Sequence, residues 1–215
     1  MLEILHLPGW PLLLPFLAAA LALNVTPGAD MTYVIARAAG QGEKAGVVSA
    51  FGIATGSLVH SILAALGISA LLAASPLAFQ AVKYAGAAYL LYLAVRMALS
   101  ARERNSARAK PPARLRRIYL EATLVNLLNP KVALFIVAFL PQFVTPERGS
   151  VAVQIVALGL LFNLTGTAIN AAVAIAAARV AGRVKAAPRF KATMQWLSAG
   201  ILGALALRLA LSENR

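Results

Sequence analysis

The chain has 215 residues, 60% of them hydrophobic, a mean hydropathy of +0.78 and only 13% charged residues. Soluble domains carry about 25% charged residues, and several apolar runs here reach the roughly 20 residues that span a bilayer core, so a soluble fold is excluded. The net charge of +13 sits in short loops without interleaved aromatics, which excludes a nucleic-acid surface, and the lack of cysteine excludes disulfides and thiolate chemistry.

The pattern predicts an all-α polytopic membrane protein of six spans in a single transmembrane domain covering residues 1–215. The leading segment "MLEILHLPGW" carries Glu3 and no basic residue, so it reads as the start of a retained helix and not as a signal peptide. The first span runs from about Trp10 to Gly40 and is interrupted by "NVTPGAD", Asn24 to Asp30. Proline removes a backbone hydrogen bond and clashes with the preceding turn, so Pro27 with Gly28 predicts a broken helix. The second span covers about Ala45 to Ala74, and its Gly52 and Gly56 have the spacing of a close-packing face. The third covers about Phe79 to Leu99 and is followed by a basic loop over residues 100–117.

The fourth span, about Ile118 to Val144, holds "NLLNPK", Asn126 to Lys131, and breaks at Pro130. The fifth runs from Val151 to Ala178 and the sixth from Ala192 to Leu211. Basic residues concentrate in alternate connections: Arg37 and Lys44, then the 100–117 loop, then Arg179 to Lys191. With six spans all three lie on one side, the cytoplasm, and both termini lie outside.

The two halves correspond in order. "NVTPGAD" pairs with "NLLNPK", "TGSLVH" (Thr55 to His60) with "TGTAIN" (Thr165 to Asn170), and "LAVR" with "LALR", at offsets of about 103, 110 and 112 residues. This predicts a three-plus-three repeat, about 10–99 and 118–211. Three spans per half would invert one half against the other, the layout of secondary transporters whose solute site lies where the broken helices meet.

Asp30 and Lys131 are the foremost candidates. An intramembrane carboxylate is costly and marks a proton or solute path, so Asp30 suits the coupling proton or a substrate ammonium, or caps the half-helix after it. Lys131 suits a substrate carboxylate or acts as the counter-ion of Asp30, against snorkelling to an interface. Asn24, Asn126 and Asn129 could bond freed backbone groups or a ligand, and main-chain amides after Gly28 could take an anion. His60 and Asn170 are the paired polar residues of the repeat; interhelical bonding is expected, with proton relay the alternative for His60. Thr55, Ser57, Thr165 and Thr167 read as packing hydroxyls and Glu121 as an interfacial ion pair. No metal ligand set or cofactor is expected.

The stretches "PGADMTYVIARAAGQGEKAGVVSAFGIATG" and "NLLNPKVALFIVAFLPQF", with "SPLAFQAVKYAGAAYLLYLAVR" between them, resemble the LysE/RhtB family of amino-acid exporters over essentially the whole chain. Ala29 stands where that family often has a second proline. The resemblance implies efflux of amino acids or small derivatives across the bacterial cytoplasmic membrane, driven by protons. Its partners would be a small-molecule substrate, protons and the lipid bilayer, and a monomer or a homodimer would fit equally. The alternative is a divalent-metal exporter of the wider superfamily, and an intramembrane serine protease is disfavoured because no Gly-x-Ser-x-Gly elbow is present.

Overall fold

The computed structural model describes residues 8–75 and 112–180, with isolated helical positions at 81, 84, 88, 91, 92, 95, 99, 196, 200 and 204. Of residues 69–74 it describes the backbone alone. The third and sixth expected spans therefore lie almost wholly outside the described residues, as do the connections 100–111 and 181–195.

Among the described residues the chain forms six α-helices, two short 3-10 turns and no strand. Helix α1 (Trp10–Val25) opens with Pro11 in its first turn, where a missing N–H costs nothing. It ends because Thr26, ahead of Pro27, is held extended at φ −73°, ψ 120°. Helix α2 (Ala29–Gln41) begins after Gly28 and stops at Gly42, whose φ of +87° favours glycine. Helix α3 (Glu43–Ala74) follows at once. Helix α4 (Leu115–Leu127) ends two residues before Pro130, and α5 (Pro130–Phe139) continues into a 3-10 turn, Leu140–Phe143. A second 3-10 turn, Pro146–Arg148, leads into α6 (Val151–Val180).

Two unbroken stretches, Glu43–Ile68 and Val151–Val180, are long and apolar enough to cross a membrane. The pairs α1 with α2 and α4 with α5 qualify only as bent spans, by 47° and 53°. Both expected breaks are present, and the first, second, fourth and fifth spans begin and end within about three residues of their sequence limits.

Polarity is arranged for lipid. Leu14, Leu63, Leu66, Leu124, Leu128 and Leu164 are exposed, whereas Ser57, Ser61, Asn126, Asn129, Gln154 and Asn170 are buried. The apolar interior divides into two clusters. One joins Phe16 of α1 to Phe135, Phe139 and Phe162, with rings 4.6 Å and 5.0 Å apart across Phe135. The other joins Tyr33 and Val34 of α2 to Ile53, Ile118, Ala122 and Ala174. On α3 and α6 the stretches between the clusters carry polar side chains: Ser57, His60 and Ser61 on one, Asn163, Thr167 and Asn170 on the other. A polar layer thus lies midway along both unbroken helices.

Helices α3 and α4 approach closely at the glycines of α3. A Cβ on Gly52 would collide with the Tyr119 carbonyl, and one on Gly56 would lie 2.8 Å from Asn126 Cβ. The close-packing reading of this spacing holds. Gly56→Val is expected to cost about 1–3 kcal/mol, seen as a lower melting temperature in detergent, because backbone cannot yield as a side chain can. Gly67→Ala, where an added Cβ has no described atom within 4 Å, is the control expected to melt no lower than the parent.

Candidate functional site

The first break frees carbonyls at the end of α1, and the second broken helix supplies the donor for two of them. Lys131 Nζ donates to Leu23 O and to Thr26 O, each at 3.1 Å. Thr26 Oγ1 donates to Ala22 O at 2.6 Å. An ammonium at a helix C-terminus also complements the helix dipole. Gly28 favours this approach, since a Cβ there would stand 3.2 Å from Lys131 Nζ and push the ammonium aside by a few tenths of an ångström. The second break is held by Asn129, the N-cap of α5, whose Oδ1 accepts from Lys131 N at 3.0 Å.

Asp30 does not cap α2: its N-cap is Gly28, with no side-chain cap bond. Its carboxylate points across to the other broken helix, where Oδ2 accepts from Asn126 Nδ2 at 2.9 Å. The second broken helix therefore meets both sides of the first break, Lys131 at the end of α1 and Asn126 in the first turn of α2. Asp30 and Lys131 make no direct hydrogen bond or salt bridge: the ammonium donates to the α1 carbonyls and interacts with the Asp30 charge across space.

The Thr-Gly stretches each face the asparagine before the opposite break. Gly56 admits Asn126, and Gly166 admits Asn24, whose Oδ1 would stand 2.9 Å from a Cβ there. Asn24 Nδ2 donates to Phe162 O at 3.2 Å and to Thr165 Oγ1 at 3.1 Å, so it ties α1 to α6 and not to the freed carbonyls. His60 Nε2 lies 3.3 Å from Asn126 O, the interhelical bond expected of it. Thr55 shares a 2.6 Å bond with the Tyr119 hydroxyl, and Thr165 bonds within its helix, both as packing hydroxyls do.

Between the breaks lies a cavity of about 30 Å³, room for a water or two and too small for an amino acid in this conformation. Asn24, Asp30, Ser57, Asn126, Asn163, Thr167 and Asn170 give it polar walls, and Ile53, Val132 and Phe162 apolar ones. Of the sequence candidates, Asn24, Asp30, Asn126 and Asn170 converge on it; Gly28, His60, Asn129 and Lys131 support it from outside.

Ser57 and Thr167, read as packing hydroxyls, instead line the cavity. Asn163 escaped notice altogether; its Nδ2 donates to Ala54 O at 2.6 Å and its Oδ1 accepts from Thr167. The signal was present, since Asn163, Thr167 and Asn170 follow one another at helical spacing on one face of an apolar run.

A second polar cluster lies nearer one end of the bundle. Arg37 Nη2 meets Glu121 Oε2 at 2.6 Å, Tyr33 donates to the same oxygen at 3.0 Å, and Arg117 holds Oε1 at 2.8 Å. The ion pair expected of Glu121 is present, but its main partner, Arg37, is 4% exposed and belongs to the core. Glu121→Ala removes the carboxylate paired with that buried guanidinium, which keeps its bond to the Tyr33 hydroxyl, and is expected to cost about 2–4 kcal/mol. Adding Arg37→Met should recover much of the loss, read as melting temperature in detergent.

Residues 21–213 match the family model described as LysE type translocator. The chain is 29% identical over 177 residues to the homoserine/homoserine lactone efflux protein of Salmonella typhimurium, covering 82% of this chain and 85% of that one. It is 32% identical over 162 residues to an uncharacterized membrane protein of Bacillus subtilis, covering 71% and 76%. It is also 32% identical over 132 residues to the leucine efflux protein of Salmonella choleraesuis, covering 60% and 61%. No solved structure matches.

Proposed function

The chain belongs to the LysE type translocator family of membrane transporters, and on that premise we propose that it exports a small amino acid or amino-acid derivative in exchange for protons. The names of two relatives, for homoserine or its lactone and for leucine, support that substrate range. The observation that carries the reading is the Asp30 carboxylate. One of its oxygens is buried without a hydrogen-bond partner, in a residue that walls a cavity between two broken helices. A carboxylate so placed binds a proton when the cavity faces the acidic side and releases it on the other.

The alternating exposure this requires follows from an inverted three-plus-three repeat, with the basic loops in the cytoplasm, both termini outside and the bacterial inner membrane as the site of action. Supporting it are the two bent helix pairs, 47° and 53°, and the reciprocal contacts of Gly56 with Asn126 and Gly166 with Asn24. The small cavity corresponds to a closed stage of that cycle. Lys131 and Asn129 hold the breaks through it, and Asn24, Asn126, Asn170 and His60 align the helices around it.

The test is counterflow in proteoliposomes with labelled amino acids, with and without an imposed pH gradient. Exchange of one class, concentrated by the gradient, is the expected result. Exchange indifferent to the gradient removes proton coupling, and no exchange from folded protein removes the amino-acid assignment.

A further inference from the structure

The hydrogen-bond inventory of the cavity is one-sided. Three of its four lining amides already use their nitrogen: Asn24 toward Phe162 and Thr165, Asn126 toward Asp30, and Asn163 toward Ala54. The orientation of Asn126 is dictated by chemistry, because an ionised carboxylate only accepts and the amide must turn its N–H toward it. Its Oδ1 is thereby left over. Asp30 Oδ1, Ser57 Oγ and Asn170 Oδ1 are likewise buried without a partner, and all four residues wall the same cavity. Asn126, Ser57 and Asn170 are 1%, 4% and 8% exposed, so bulk water does not satisfy them. Lys131 interacts with the Asp30 charge but donates its N–H groups to Leu23 O and Thr26 O, and it is not among the cavity's lining residues.

Buried acceptors left without donors are unfavourable, and a cluster of them beside one negative charge defines its own complement. That complement carries a single positive charge, offers several N–H donors and is about the size of a water. A primary ammonium has three donors in that volume. A carboxylate would find only the Asn170 amide and the Ser57 hydroxyl as donors, beside the repelling charge of Asp30. A divalent metal would want more than the single carboxylate present. We propose that this cavity is the receptor for the primary ammonium group of the transported solute and that the solute's carboxylate is not read there, so α-amino compounds are accepted whether or not the acid is free. The inference rests on the exporter reading above and narrows it. The ammonium enters the acceptor cluster, and the rest of the solute lies toward Ile53, Val132 and Phe162, which separate to admit it.

The experiment measures protection of the purified full-length protein against thermal unfolding by matched ligands. Leucine, alanine and phenylalanine are each compared with their amides, which keep the ammonium and lose the acid, and with their 2-hydroxy acids, which do the reverse. Sodium chloride against choline chloride is the ion control. The amides should protect within about threefold of the concentration of the amino acids, and the hydroxy acids at concentrations at least about 30-fold higher. Hydroxy acids that protect as well as amino acids overturn the proposal, as does no protection by any ligand. Protection by sodium alone, unchanged by the amides, also overturns it and gives the acceptor cluster to a metal ion. Counterflow on the same preparation separates the two readings. Exchange without ammonium preference leaves export standing and ends this inference, whereas ammonium preference without exchange does the opposite.

Discussion

Asp30→Asn is expected to reduce gradient-driven accumulation in proteoliposomes to that of empty vesicles while leaving the protein folded. Asparagine has nearly the shape of aspartate, and its amide oxygen can still accept from Asn126 Nδ2, so the 2.9 Å contact between the two broken helices survives. The change in stability should stay within about 1 kcal/mol, because a hydrogen bond to a charged acceptor becomes a neutral one. What disappears is the one carboxylate among the described residues of the cavity wall. Asp30→Glu keeps that chemistry one methylene longer and should retain part of the transport. A pH-gradient response that persists in Asp30→Asn would move coupling to another group, with His60, 3.3 Å from Asn126 O, the next to test.

The parts of this architecture legible in the sequence are those whose cost is local. A proline in an apolar run interrupts a helix whatever packs around it, so Pro27 and Pro130 announced both breaks, and the fold follows them to within a few residues. The glycines of α3 announced a close approach for the same reason, since a missing side chain is a property of the position itself. Partnerships across the bundle were not legible. Asp30 and Asn126 are 96 residues apart, and nothing in either stretch says which amide the carboxylate will meet. Arg37 was assigned to a basic turn by its charge, yet it is 4% exposed beside Glu121, because helix α2 turns it inward against α4. Asn163 precedes the Thr-Gly motif at which the halves correspond, and its own partner, a main-chain carbonyl on α3, leaves no trace in composition.

Lys131 shows how far packing can redirect a charge, and its replacement is the second change with a large expected effect. The sequence invites a role for its ammonium on a carboxylate, either the substrate's or that of Asp30. The fold turns it to Leu23 O, whose helical donor would be the N–H that Pro27 lacks, and to Thr26 O beside the break. Lys131→Met keeps the length of the side chain and removes both charge-assisted hydrogen bonds to the end of α1. The expected loss is about 2–4 kcal/mol, or a melting temperature in detergent lower by roughly 5–10 °C, with transport falling alongside it. Gly28→Ala presses on the same ammonium from the other side, at 3.2 Å, and should lower stability in the parent but much less in Lys131→Met, a non-additivity that only a shared contact produces. If Lys131→Met were instead to melt like the parent while its apparent affinity fell for amino acids and not for their amides, the ammonium would be reading the substrate's carboxylate. The clamp across the first break would then have to lie elsewhere.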